Sequence, residues 1–164
     1  NHPDILLIML DNNNIKEYFK LFIDNIDRIK FIPKCTFNLF NKYINYSHLI
    51  LDTFPFGGCN SSLEGFNFNK VIVTKPTMLL SGRFTYGFYK KMNIFEPVAY
   101  DNDDYYEIVC KFITDHEYRK SVENKINNKK KLLFEEAESI NEWIKEIINL
   151  SRPYVILDNE KIKY

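Results

Sequence analysis

Residues that punctuate a chain are scarce here. Among 164 residues there are only 5 Gly and 6 Pro, so each one marks a turn or a close backbone approach. Cysteine is scarcer still. Cys35, Cys59 and Cys110 lie far apart and form no Cys-x-x-Cys pair, which excludes a disulfide framework or zinc ribbon and points to a reducing, cytoplasmic setting. Charge of one sign is missing too. With 22 basic against 22 acidic residues, the chain lacks the lysine and arginine surplus of a nucleic-acid surface. No apolar run reaches the length of a membrane span, and no signal peptide is visible. His2, His48 and His116 show no ligand spacing, so no metal and no cofactor is expected.

What is present is a globular composition, 45% hydrophobic and 16% aromatic, enough for one domain with a real core. Short apolar runs at Ile5–Leu10, Ile29–Ile32, His48–Leu51 and Lys70–Thr74 read as buried strands. Helical spacing fills the intervals at Ile15–Ile26, Thr36–Tyr46 and Asn60–Phe68. Further helices are predicted at Gly82–Met92, Asp103–Thr114, His116–Lys131 and Phe134–Leu150. Alternating strands and helices with short loops predict an α/β fold, a parallel doubly wound sheet with flanking helices. The helical C-terminal third is expected to cover one side of it. Residues 1–150 form the domain, and 151–164 a tail that is either an added strand or an extension. The start at Asn1, directly before an apolar run, suggests a piece of a longer polypeptide.

One segment carries chemistry: Leu51-Asp-Thr-Phe-Pro-Phe-Gly-Gly-Cys-Asn-Ser-Ser-Leu-Glu-Gly65. It leaves a strand at its carboxyl end, where open α/β sheets bind ligands. It then passes through Gly57 and Gly58 and opens a helix whose free amides suit an anion such as a diphosphate. Asn60, Ser61 and Ser62 add side-chain donors at that mouth. A plainer reading stands beside this one. Ser61-x-x-Glu64 is also a capping box, in which two residues satisfy each other's amides and bind nothing. Neither a Walker loop nor a Gly-x-Gly-x-x-Gly fingerprint is present.

The run from Leu51 to Phe66 resembles the donor-site motif of the O-linked N-acetylglucosamine transferase family, close to L-D-P/T-x-P-F-G-G-G-N-T-S-x-E-A-L. The similarity continues through Lys70-Val-Ile-Val-Thr-Lys-Pro76 and Ser81-Gly-Arg-Phe-Thr-Tyr-Gly-Phe-Tyr-Lys-Lys-Met-Asn-Ile94, and more loosely through Thr114-Asp-His-Glu-Tyr-Arg-Lys120. This implies the Rossmann-like C-terminal half of a GT-B glycosyltransferase, binding a nucleotide sugar, most simply a UDP-sugar, for transfer to a protein or glycan hydroxyl. By the resemblance, Asn60 and Ser61 fall at the donor phosphates and Glu64 at the ribose. Phe40 falls against the nucleobase, and Arg83 has either a structural or a donor-facing role. The family's preceding strand and helix, with a phosphate-binding lysine, and its N-terminal GT-B domain are not in this sequence, so the catalytic residues are expected there. Cys59, Phe40 and Lys75-Pro-Thr77 depart from the pattern. A degenerate scaffold domain of the same fold is the alternative reading.

Other residues read as structural. Cys59 has no partner base in the sequence, Lys129-Lys-Lys131 suits a helix end, and Asp103-Asp104 and Glu135-Glu136 suit helix starts.

Overall fold

The computed structural model describes residues 5–11, 15–22, 27–134 and 137–156. The expectations for His2, for residues 23–26, for Glu135-Glu136 and for 157–164 lie outside them. The chain divides into two compact units, Asn1–Tyr46 and Ser47–Tyr164.

In the first unit the near-continuous apolar run becomes β1 (Leu7–Asp11), followed by α1 (Ile15–Phe19), β2 (Ile29–Pro33) and α2 (Phe37–Tyr46). β1 and β2 pair in parallel, with Leu7 opposite Ile29 and Asp11 opposite Pro33. The helix predicted from Ile15 to Ile26 closes earlier, in turns at Lys20, Leu21 and Phe22. Their amides reach back to Lys16, Tyr18 and Phe19. Ile32 and Ile44 are buried in this unit.

The second unit contains β3 (Ile50–Leu51), α3 (Asn60–Asn67), β4 (Ile72–Val73), a 3-10 turn at Leu80–Gly82 and α4 (Phe84–Met92). Then come α5 (Asn102–Thr114), α6 (His116–Lys129), α7 (Lys131–Phe134) and α8 (Ala137–Ile156). β3 and β4 are parallel, Ile50 opposite Ile72 and Leu51 opposite Val73. The α/β class with parallel strands is therefore as predicted, although among the described residues the four strands form two separate pairs, one in each unit. β3 is shorter than His48–Leu51. Beyond β4, Thr74 makes a parallel bridge to Val98, a pairing too short to show as a periodic run.

Sequence explains most of the packing. Val71, Ile72 and Val73 are fully buried and meet Phe66 of α3, Tyr89 and Met92 of α4, Phe112 of α5, and Val122 and Ile126 of α6. Gly65 lets α3 lie directly on the strands. A Cβ there would come within 2.8 Å of Ile50 Cδ1 and 2.9 Å of Ile72 Cδ1. Tyr89 keeps its hydroxyl inside the core by accepting the Ile72 amide at 2.8 Å, and its burial pushes that hydroxyl well above the ordinary tyrosine range. Helices α5 and α6 start on side-chain caps: Asp101 accepts from the Asp104 amide and Asp115 from the Tyr118 amide, each at 2.8 Å.

At the C-terminus, residues 151–156 continue the helical backbone of α8, so the added-strand alternative for the tail does not hold over them. Nor does this last helix cover a sheet: Ile140 is 60% exposed and Trp143 71%. The covering elements are α5 and α6, whose apolar faces reach the strands.

Candidate functional site

The site is built on Asp52, the residue that follows β3. Its amide donates to the Val73 carbonyl at 2.9 Å, continuing the parallel ladder by one rung. Its side chain, almost wholly buried, turns toward the next loop. Oδ1 accepts the Gly58 amide and Oδ2 accepts the Thr74 hydroxyl, both at 2.7 Å. The Tyr105 hydroxyl, on α5, donates to the Asp52 carbonyl at 3.0 Å. Burial first, and the Asp52 charge second, hold that hydroxyl above the usual tyrosine range, so it remains a donor.

This arrangement bends the chain back over itself. The Thr53 hydroxyl donates to the Phe56 carbonyl at 2.6 Å, and the Gly57 amide donates to the Ser81 carbonyl at 2.9 Å. Gly58 is glycine for want of space, since no glycine of the chain has positive φ. A Cβ on Gly58 would run into the hydroxyls of Ser62 and Ser61. The two glycines thus shape the turn and spend their own amides inside the protein.

Helix α3 begins at Asn60, with Cys59 as N-cap and no side-chain cap hydrogen bond. The capping box predicted for Ser61 and Glu64 is therefore not formed. Asp52 and Thr85 fix the chain on either side of Cys59, and the helix starts at Asn60 as predicted, which makes Ser61 its second residue and not its N-cap. Ser62 is buried and shares a 2.8 Å hydrogen bond with the Thr85 hydroxyl. Thr85 also lies 3.3 Å from the Gly58 carbonyl as a donor. Asn60 and Ser61 stay exposed on the first turn, and Glu64 lies one turn inside, half-buried. Left uncapped, the first amides of α3 are available to an external acceptor, in the positive field of the helix end.

Of the predicted residues, the structure thus brings Gly57, Gly58, Asn60, Ser61, Ser62 and Glu64 together at one helix start. Arg83 is exposed and ends the 3-10 turn, its amide donating to the Leu80 carbonyl at 2.9 Å. Its guanidinium has no hydrogen bond or ion pair among the described residues. On the loop before the glycines, Phe54 packs edge-on to Tyr105 with 5.5 Å between ring centres. The Lys75 ammonium sits 4.1 Å above the Phe54 ring. Phe40 belongs to the first unit, where it lines a cavity of about 250 Å³ with Leu10, Lys34 and Cys35. A larger cavity of about 490 Å³ in the same unit, lined by Asp11, Lys16, Asp27 and Lys30, contains none of the predicted residues.

Asp52 is the residue that sequence reasoning missed, having read it only as a strand end. The sequence carries only a carboxylate six residues before a glycine; that this glycine has no room for a side chain shows in the fold. Among the described residues no group of three His, Cys, Asp or Glu side chains is placed to hold a metal ion. No helix there is long and apolar enough to cross a membrane.

No family model matches the chain, and no curated protein matches it in sequence. Its structure is similar to that of a solved O-GlcNAc transferase from Thermobaculum terrenum, a lysine-to-methionine mutant. The TM-score is 0.74 and the identity 17%, over 92% of this chain. The chain spans 30% of the length of that protein, and the likeness establishes that it has the fold of the corresponding part.

Proposed function

We propose that the chain is the donor-binding portion of a glycosyltransferase, taking a nucleotide sugar, most simply a UDP-sugar. The observation that carries this is the start of α3. It is an uncapped helix end with Asn60 and Ser61 exposed on it, beyond the carboxyl ends of two parallel strands. A diphosphate placed there meets unpaired amides, two side-chain donors and the positive end of the helix. Glu64, one turn further in, takes the ribose hydroxyls, and Arg83, exposed at the end of the 3-10 turn, offers the donor a positive charge. Gly57, Gly58 and Ser62 serve by shaping the mouth, since their polar groups are already bound.

The solved neighbour, named as an O-GlcNAc transferase, supports the same class. In this reading the chain stabilises the leaving diphosphate without a metal ion, by preorganised donors. A second domain brings the acceptor, a protein or glycan hydroxyl, together with the base. Free thiols at Cys35, Cys59 and Cys110 suit a reducing, cytoplasmic setting.

The test is the affinity for UDP measured by calorimetry on the parent and on Glu64→Ala. Loss of hydrogen bonds to a charged group is expected to weaken binding by about 1–3 kcal/mol. Equal affinities would leave Glu64 as an ordinary surface residue of α3. A parent that takes up no nucleotide would favour a scaffold that keeps only the fold.

A further inference from the structure

We propose that Asp52 is a positioning residue for the donor: its carboxylate holds the start of α3 in the one geometry that presents the Asn60 and Ser61 amides to a diphosphate. This rests on the donor-site reading above. Four groups converge on the residue. Its backbone is fixed by the Val73 carbonyl of β4 and by the Tyr105 hydroxyl of α5, and its carboxylate by Thr74 and by the Gly58 amide just before α3. Gly58 is two residues from Asn60, so the 2.7 Å bond to Oδ1 sets where the helix enters.

The electrostatics argue that the contact is retained for geometry. Burying a carboxylate is costly unless it is paired with a cation or well supplied with donors. Asp52 is 8% exposed and has no ion-pair partner among the described residues, so its charge is balanced by the Gly58 amide and the Thr74 hydroxyl alone. Hydrogen bonds to a carboxylate are short and roughly twice as strong as neutral ones. Both contacts fall in that short range. An asparagine could still accept the Gly58 amide, but it would face Thr74 with a donor instead of an acceptor. An alanine would release both groups and the mouth with them.

The experiment is amide hydrogen exchange and proton–nitrogen spectroscopy on the whole ¹⁵N-labelled chain, with and without millimolar UDP. Asp52→Ala is expected to lower protection of the Gly58 amide by about ten- to a hundredfold. The amides of Val122 and Ile126, in the core of α6, should change far less. UDP-induced shifts at Asn60 and Ser61 should disappear in this variant. Asp52→Asn should keep a protected Gly58 amide and partial UDP shifts, with the Gly58 proton resonance moved upfield by loss of the charge. Should Asp52→Ala fail to fold, that upfield movement decides the matter: an unmoved Gly58 resonance in Asp52→Asn overturns the proposal. Unchanged exchange at Gly58 in a folded Asp52→Ala overturns it as well. So does a uniform loss across the mouth and core, which is the signature of a merely structural acid. If UDP shifts no amide of the parent, the donor-site reading falls, and with it the ligand that Asp52 was proposed to serve. The exchange data would still report whether Asp52 sets the start of α3.

Discussion

Incubated with a labelled UDP-sugar and candidate protein acceptors, these 164 residues alone are expected to transfer no label. The reason is geometric. Sugar transfer brings a hydroxyl, a base and the anomeric carbon together, and prior alignment of two reactants can supply roughly 7–11 kcal/mol of the barrier. The chain spans 30% of the length of the solved O-GlcNAc transferase it resembles. The groups proposed above to act, Asn60, Ser61, Glu64 and Arg83, would all address the donor and none the acceptor. What they can contribute is stabilisation of the departing diphosphate, with UDP bound weakly. The assay is scored by label carried into acceptor. Robust turnover by these residues alone would mean that an acceptor site and a base lie within the chain.

Phe66→Ala is expected to cost about 3–5 kcal/mol of stability. Phe66 is fully buried and links α3 to the rest of the core. Its ring meets Tyr89 edge-on at 4.9 Å between centres and Phe88 at 6.2 Å. Alanine would leave an aromatic-sized gap beside Tyr89, whose hydroxyl is held by the Ile72 backbone amide, so the site has little freedom to collapse. Domains of this size have about 5–15 kcal/mol in total, so about a fifth or more of the stability rests on this ring. Urea unfolding should show a lower midpoint with an unchanged slope. A loss under about 1 kcal/mol would show that α3 is anchored elsewhere, by Gly65 and Ser62.

Much of this was legible in the sequence, and what was not has a common cause. Period and punctuation located the strands, the helices and the glycine turn, because those depend on neighbours a few residues away. The site depends on partners far along the chain. Asp52 reaches Thr74 across 22 positions and Tyr105 across 53. Ser62 reaches Thr85 across 23. The start of α3 at Asn60 is as predicted, but nothing in the local pattern Ser-x-x-Glu could reveal that Thr85 would draw Ser62 inward. The Thr74–Val98 bridge went unseen because one pairing makes no period. The apolar stripe of α8 misled in the opposite sense, since Ile140, Trp143 and Ile147 have core spacing but stay exposed.

The central claim is that the start of α3 receives the diphosphate of a nucleotide. Titrating UDP into the ¹⁵N-labelled chain tests it most directly, at concentrations on the order of millimolar, where weak binding of about −4 kcal/mol is still visible. Saturable shifts concentrated on the amides of Asn60, Ser61 and Glu64, reproduced in part by pyrophosphate, are the predicted result. Shifts confined to other surfaces, or none at any concentration reached, would contradict it.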